Sequence, residues 1–200
     1  MRVIAGKYRS RQLHSLRGAV LRPTSDRLRE TLFNILAPIL DDAIFVDLFA
    51  GSGAVGIEAL SRGARLAIFV EKQATGVALI RRNLESLGIP IARPDAAERP
   101  KFSGAAEILR LDALAGIKRL LERDTRADII FADPPYAESS AYGDVLDIVG
   151  NSELLAAGGM MVLEHSSRAE LPTTAGALER IRLLRQGDST LSFYRCILAA

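Results

Sequence analysis

The sequence contains one cysteine, Cys196, no tryptophan and only two histidines, His14 and His165. A single thiol cannot close an intramolecular disulfide, and this usage fits a reducing compartment. At 200 residues the chain can bury enough surface to fold without a disulfide or a metal, so Cys196, set in an apolar stretch, reads as a small core residue. No run approaches the roughly 20 apolar residues that cross a bilayer. The first residues include Arg2, Lys7, Arg9 and Arg11 and offer no apolar run long enough for a secretion signal. The expected location is the cytoplasm. Internal repeats and low-complexity tracts are also missing, and the hydrophobic and charged fractions, 48% and 25%, suit one soluble globular domain.

Charge is scarce in sum but uneven along the chain. Residues 1–30 hold eight basic side chains (Arg2, Lys7, Arg9, Arg11, Arg17, Arg22, Arg27, Arg29) against Asp26 and Glu30, a balance of +6. The net charge is +2, so the other 170 residues sum to −4. A basic arm on a mildly acidic body suits a polyanionic partner, because each phosphate contact releases condensed counterions. A solvated charged surface would show the same composition.

Residues 1–16 read as a small β-hairpin or flexible arm around Gly6-Lys7-Tyr8-Arg9, and residues 17–23 as a connector. From Thr24 the apolar spacing turns helical, through Leu28, Leu32, Ile35, Leu36 and Ile39, with Pro38 expected to kink or end the helix. Strands and helices then alternate. Strands are expected at 44–49, 66–70, 107–111, 128–132 and 160–164, and helices from the glycine turn to about 62, then at 75–87, 114–123 and 144–149. Residues 90–105 read as a loop. The tail changes rhythm, with strands at 179–185 and 190–198 joined through Gln186-Gly187-Asp188. Apolar strands alternating with helices imply a doubly wound α/β fold, its mostly parallel sheet covered on both faces and closed by an antiparallel C-terminal edge. Ligands in such sheets bind beyond the carboxyl ends of the strands, where the strand order reverses.

The residues at those ends carry chemistry. Gly51, Gly53 and Gly56 form G-x-G-x-x-G between a strand and a helix, and Glu71 ends the next strand, where a carboxylate can accept ribose hydroxyls. Both features suit an adenosine-containing ligand without choosing between a dinucleotide and a sulfonium cofactor. Asp47, just before the glycines, repels a pyrophosphate and suits a cationic amino-acid portion; alternatively it braces the turn through backbone amides. Asp133-Pro134-Pro135-Tyr136 follows an apolar strand. Two prolines stiffen the backbone and remove two donors. A base amino nitrogen is a poor nucleophile because its lone pair is delocalised into the ring. If the Asp133 carboxylate and the Pro134 carbonyl each accept one N–H, that lone pair can turn toward a methyl donor. Tyr136 can stack on an extruded base. An ordinary proline turn with a surface tyrosine is the competing reading. Asp112, with Ala113, could receive an adenine amino group or cap a helix, and the two roles are compatible. His165 reads as structural or peripheral rather than as a general base, since the proton lost after methyl transfer can leave to water.

Together, Val46-Asp47-Leu48-Phe49-Ala50-Gly51-Ser52-Gly53, Glu71, Asp112 and Asp133-Pro134-Pro135-Tyr136 resemble the class I S-adenosylmethionine-dependent methyltransferases that act on amino groups. Met1-Arg2-Val3-Ile4-Ala5-Gly6-Lys7-Tyr8-Arg9, the block from Arg22-Pro23-Thr24-Ser25-Asp26-Arg27 to Asn34, Ala59-Leu60-Ser61-Arg62-Gly63-Ala64 and Leu163-Glu164-His165 resemble, more narrowly, the bacterial 16S rRNA guanine-N2 methyltransferases of the RsmD family. The resemblance spans nearly the whole chain. It implies a Rossmann-like seven-stranded fold over residues 24–200, preceded by a basic arm and connector over 1–23. It also implies S-adenosylmethionine as cofactor, no metal, and a guanine of small-subunit rRNA within a 30S particle as substrate. The protein is expected to act as a monomer. By position, Asp47, Phe49, Gly51, Ser52 and Gly53 would hold the amino-acid end of the cofactor, Glu71 its ribose, and Asp112 with Ala113 its adenine. Thr24 would lie in a segment closing over it. Asp133, Pro134 and Tyr136 would orient the guanine amine, and Arg2, Lys7, Arg9, Arg11 and Arg22 would meet the RNA. The competing functions are methylation of adenine N6 in DNA or of a protein glutamine, a nicotinamide-dependent reductase, and a non-catalytic RNA-binding protein.

Overall fold

The computed structural model describes residues 1–15, 26–92, 104–135 and 140–197. Helix α1 (Asp26–Leu40) buries Leu28, Leu32, Leu36 and Leu40, each four residues from the next, and Asp26 places an acid at its positive end. Pro38 lies inside its last turn, and the helix stops two residues later. Strands β1 (Ile44–Asp47), β2 (Leu66–Val70), β4 (Ala105–Leu109) and β5 (Ala127–Ala132) are short apolar runs, the signature of a parallel sheet covered on both faces. Helices α2 (Ala54–Ser61), α3 (Ala74–Leu87), α4 (Ala113–Glu122) and α5 (Ser140–Gly150) connect them. The long strand β6 (Leu155–Ser166) is followed by β8 (Leu178–Gln186) and β9 (Ser189–Cys196), which turn at Gly187 with φ +63°.

With β3 (Ile91–Ala92) and β7 (Thr174–Ala175) at its edges, the sheet order is β3-β4-β2-β1-β5-β6-β9-β8-β7. Among the described residues it has nine strands where seven were expected, because these two-residue edge strands are added. Pairing is parallel from β3 to β6 and antiparallel from β6 to β7. The order reverses between β1 and β5. Boundaries differ from the sequence reading by a few residues: β4 begins at Ala105 rather than 107, and β6 begins five residues before 160. Part of the 90–105 loop, residues 93–103, lies outside the described residues.

Alternation along the strands builds two cores. Phe45, Ala67, Phe69, Ile129, Phe131, Met160 and Val162 face α1, α2 and α3. Ile44, Val46, Ile68, Val70, Ile130, Ala132, Met161 and Leu163 face α4 and α5. The period of two thus decides which side of the sheet each strand-end residue serves.

The N-terminal arm is docked on the first of these sides. Its hairpin character is a single antiparallel bridge, Arg2 to Gln12, and Val3 and Leu13 enter the α1–α3 core. Glu58, fully buried on α2, accepts the backbone N–H groups of Ile4 at 2.8 Å and Ala5 at 3.0 Å. It is paired with Arg62 at 2.7 Å and, at 3.9 Å, with the buried Arg29. Breaking such an enclosed pair costs about 3–5 kcal/mol, which ties the arm to the body. Asn83 on α3, also fully buried, accepts from the His14 N–H at 2.8 Å and donates to the carbonyls of His14 and Ser52. Cys196 is half-buried in β9, and burial pushes its thiol up.

Candidate active site

The glycine turn after β1 is held from both neighbouring strands. Leu48 N–H donates to the Phe131 carbonyl at 2.9 Å, and Ala50 N–H to the Val70 carbonyl at 3.0 Å. Gly51 and Gly53 have φ of +53° and +79°, a region that a Cβ disfavours. A Cβ on Gly51 would meet nothing within 4 Å, so the turn faces open space there. Gly56 serves packing instead: a Cβ would stand 2.4 Å from the Phe69 ring, so α2 lies close against β2. The third glycine of the motif is therefore structural. Asn83 holds the Ser52 carbonyl at 2.9 Å from below.

Asp47 is buried at the end of β1. Its Oδ2 accepts the Gly56 N–H at 3.2 Å, which bears out the turn-bracing role, while Oδ1 is enclosed with no hydrogen-bond partner. Burial, then the charge of Glu71, pushes its carboxyl up to about 7. Glu71, directly after β2, accepts the Gly51 N–H at 2.8 Å and the Gln73 N–H at 2.7 Å, so it shapes the glycine turn from across the sheet. Asp112 caps α4 by accepting the Ala115 N–H at 2.8 Å through Oδ1. Ala113 is buried behind it, and Phe49 packs against the α4–α5 side.

Asp133 follows β5 next to a buried Pro134. Its carboxyl is pushed well above the usual range by burial, then by Glu164 and by Asp47. The structure thus brings Asp47 and Asp133, 86 positions apart, into one electrostatic unit at the point where the strand order reverses. Glu164 joins them. It is 4% exposed on β6, and sequence reasoning quoted it only beside His165. The alternation Met160, Val162, Glu164 was the signal that could have found it. His165 points the other way, with Nε2 2.9 Å from Ser192 Oγ, Nδ1 2.9 Å from the Ser166 carbonyl and its ring edge-on to Tyr142. It is structural, and burial holds it toward its neutral form.

Asp47, Glu71, Asp133 and Glu164 occupy the carboxyl ends of β1, β2, β5 and β6 on the face turned toward the arm. Such a row repels a pyrophosphate and favours a cation, and the unpartnered Asp47 Oδ1 is an acceptor awaiting a donor. Thr24, Arg22 and Tyr136 lie outside the described residues. On the arm, Arg2 sits 3.7 Å from Asp26, Lys7 lies over the Tyr8 ring, Arg11 donates to the Ser86 carbonyl, and Arg9 is exposed. Among the described residues no group of three or more His, Cys, Asp or Glu could hold a metal ion, and no helix is long and apolar enough to cross a membrane.

A family model described as conserved hypothetical protein 95 matches residues 1–195. The chain is 34% identical over 195 residues to "Putative rRNA methyltransferase YlbH" of Bacillus subtilis, covering 98% of each chain. It is 34% identical over 173 residues to "Ribosomal RNA small subunit methyltransferase D" of Escherichia coli K12, covering 86% of this chain and 78% of that one. Among solved structures, "Putative methyltransferase yhhF" of Escherichia coli superposes with a TM-score of 0.79 at 30% identity, over 98% of this chain and 97% of that one.

Proposed function

Because the chain belongs to the conserved hypothetical protein 95 family, the RsmD family of methyltransferases, we propose that it methylates small-subunit rRNA, using S-adenosylmethionine, at the exocyclic N2 of a guanine. The observation that carries this reading is the acidic row at the switch point, with an enclosed unpartnered oxygen on Asp47 and the stiff Asp133-Pro134 hook beside it. The residues fit the cofactor: a buried row of carboxyls, which a bound cation draws into the charged form, suits a molecule with a sulfonium and an ammonium group, and the open face of Gly51 leaves room beside it.

S-adenosylmethionine, when bound, supplies a methyl group whose bond electrons stay on sulfur as nitrogen displaces it. Asp47 would take the ammonium end through its free Oδ1. Glu71, already fixed by two backbone amides, has lone pairs left for ribose hydroxyls, and Asp112 Oδ2 is available for the adenine amine. Asp133 and the Pro134 carbonyl would accept the two N–H bonds of the guanine amine and direct its lone pair along the line of transfer. These bonds strengthen as positive charge develops on nitrogen, so they act on the transition state. The N–H proton then leaves to Asp133, whose proton affinity burial and then the neighbouring carboxylates raise, or to water. No step needs a metal. Val3 and Leu13 dock the arm on the same sheet face as the acidic row, and the arm's Arg2, Lys7, Arg9 and Arg11 would meet the phosphates of a polyanion. The substrate on this reading is a 30S particle in the cytoplasm, met by one copy of the chain.

Incubation with labelled S-adenosylmethionine and unmodified small-subunit particles, followed by nucleoside analysis, tests the reading. N2-methylguanosine is the expected product. Methylated adenosine, or no methylated guanine from protein that binds the cofactor, would refute it. Asp133→Asn should lower kcat by about 10²–10³-fold, with cofactor affinity retained.

A further inference from the structure

Among the described residues, β7 covers only the start of β8, pairing at Leu178 and Glu179, and the outer side of residues 181–186 meets no further strand. Ile181, Arg182, Leu183 and Arg185 are exposed there. The segment is also cationic against its surroundings. Residues 31–200 sum to −4, yet residues 178–197 carry Arg180, Arg182, Arg185 and Arg195 against Glu179 and Asp188. Arg180 is engaged within the protein, donating to the Leu171 carbonyl at 3.0 Å, and Arg195 stands across from Glu179. Arg182 is level with Phe193 of the arm-side core and Arg185 with Thr190, so the two arginines leave opposite faces of one open edge. Register puts this charge at the end of the sheet where the chemistry lies. β6 and β8 run in the same direction, each antiparallel to β9, and His165, Thr190 and Arg185 form one row across them. The loop after β6 adds a cation at that end: the Ser167 N–H donates to the Asp188 carbonyl at 2.9 Å, which holds the exposed Arg168 beside the β8–β9 turn. β8 lies three strand spacings from β5, whose end carries Asp133, or about 14 Å. A stacked strand crosses that distance in about four nucleotides, at roughly 3.4 Å per phosphate. Arginine suits such a partner, because its fork matches phosphate oxygens and stays charged.

We propose that Arg168, Arg182 and Arg185 form a second rRNA contact, binding phosphates a few nucleotides from the target guanine. The inference rests on the rRNA reading above. Its test measures binding of wild type and of Arg182→Ala/Arg185→Ala to unmodified small-subunit particles across a salt series, together with methylation kinetics. The double variant should bind at least about tenfold more weakly near about 0.1 M salt, and its slope of log K against log salt should be shallower by about 1.4–1.8. KM for the particle should rise by a similar factor, while kcat at saturating particle and affinity for S-adenosylmethionine stay within about twofold of wild type. Arg182→Lys/Arg185→Lys, which keeps both charges, should bind within about threefold of wild type. Arg65→Ala/Arg126→Ala also removes two charges, from surface pairs with Asp42 and Glu153 at the amino ends of β2 and β5, and should leave the slope unchanged. Unchanged particle binding in the β8 alanine variant would overturn the proposal, as would weaker binding with an unchanged salt slope, which points to a protein contact. Self-association of that variant by light scattering, with particle binding intact, would likewise overturn it and leave these arginines as guards of an open edge. A wild type that binds cofactor but yields no methylated rRNA would instead remove the underlying reading, and the proposal with it.

Discussion

Replacing Asp47 by asparagine should change the pH dependence of stability in a direction the burial of this carboxyl dictates. In the native protein it is pushed up to about 7 from an ordinary value of 3.8. Between those values the native chain holds a proton that the unfolded chain has released, so stability falls as pH rises through this window. A span of about three pH units at 1.36 kcal/mol each amounts to about 4 kcal/mol by pH 8, and Asp133 adds to it with the same sign. In Asp47→Asn this titration is gone. The amide oxygen can still accept the Gly56 N–H, but the NH₂ takes the place of the unpartnered oxygen and costs roughly 1–3 kcal/mol at every pH. Denaturant unfolding of the cofactor-free proteins should therefore show the wild type losing about 2.6 kcal/mol more than the variant between pH 5 and 8, the rest of the difference having been lost below pH 5. Parallel pH profiles would refute the argument. The same carboxyl predicts calorimetric behaviour: wild-type affinity for S-adenosylmethionine should rise as pH passes 7 and the carboxylate forms, whereas Asp47→Asn should bind weakly with a flat profile.

Gly6→Ala puts a Cβ 1.8 Å from the Ser61 carbonyl at a φ of +80°, so it should displace the arm. Methylation of the rRNA particle should drop at least about tenfold, with calorimetric cofactor affinity within about threefold of wild type. Asn83→Ala strands the Ser52 carbonyl and both backbone groups of His14. Thermal or denaturant unfolding should register a loss of about 1–3 kcal/mol, with weaker cofactor binding because the glycine turn loses its prop. Gly56→Ala forces α2 away from Phe69 and should destabilise by about 1–3 kcal/mol, even though its neighbour Gly53 belongs to the turn and Gly56 does not.

The fold was legible because its signals are local. Short apolar strands, helical spacing and glycine punctuation locate β1, β2 and α3 within about two residues, and the change of rhythm from residue 179 marks the antiparallel edge. Individual site residues were legible for the same reason: a carboxylate or a proline pair after an apolar strand stands at the strand's carboxyl end whatever the strand's neighbours are. Two-residue edge strands were not legible, because their existence depends on a partner rather than on a periodic pattern.

The sequence by itself determined the alternation of the elements, the acidic and glycine residues at their ends, and the concentration of positive charge in the first 30 positions. Only the tertiary structure decided which of those ends are neighbours. Placing β5 and β6 beside β1 collects Asp47, Asp133 and Glu164 on one face, and burial there first, then the neighbouring Glu164 and Asp47, raises the proton affinity of Asp133. Likewise, the arm's composition was plain in the chain, but its attachment required a buried Glu58 and Asn83 to find backbone amides more than fifty positions away. Electrostatic coupling depends on distance in space, and distance along the chain does not report it.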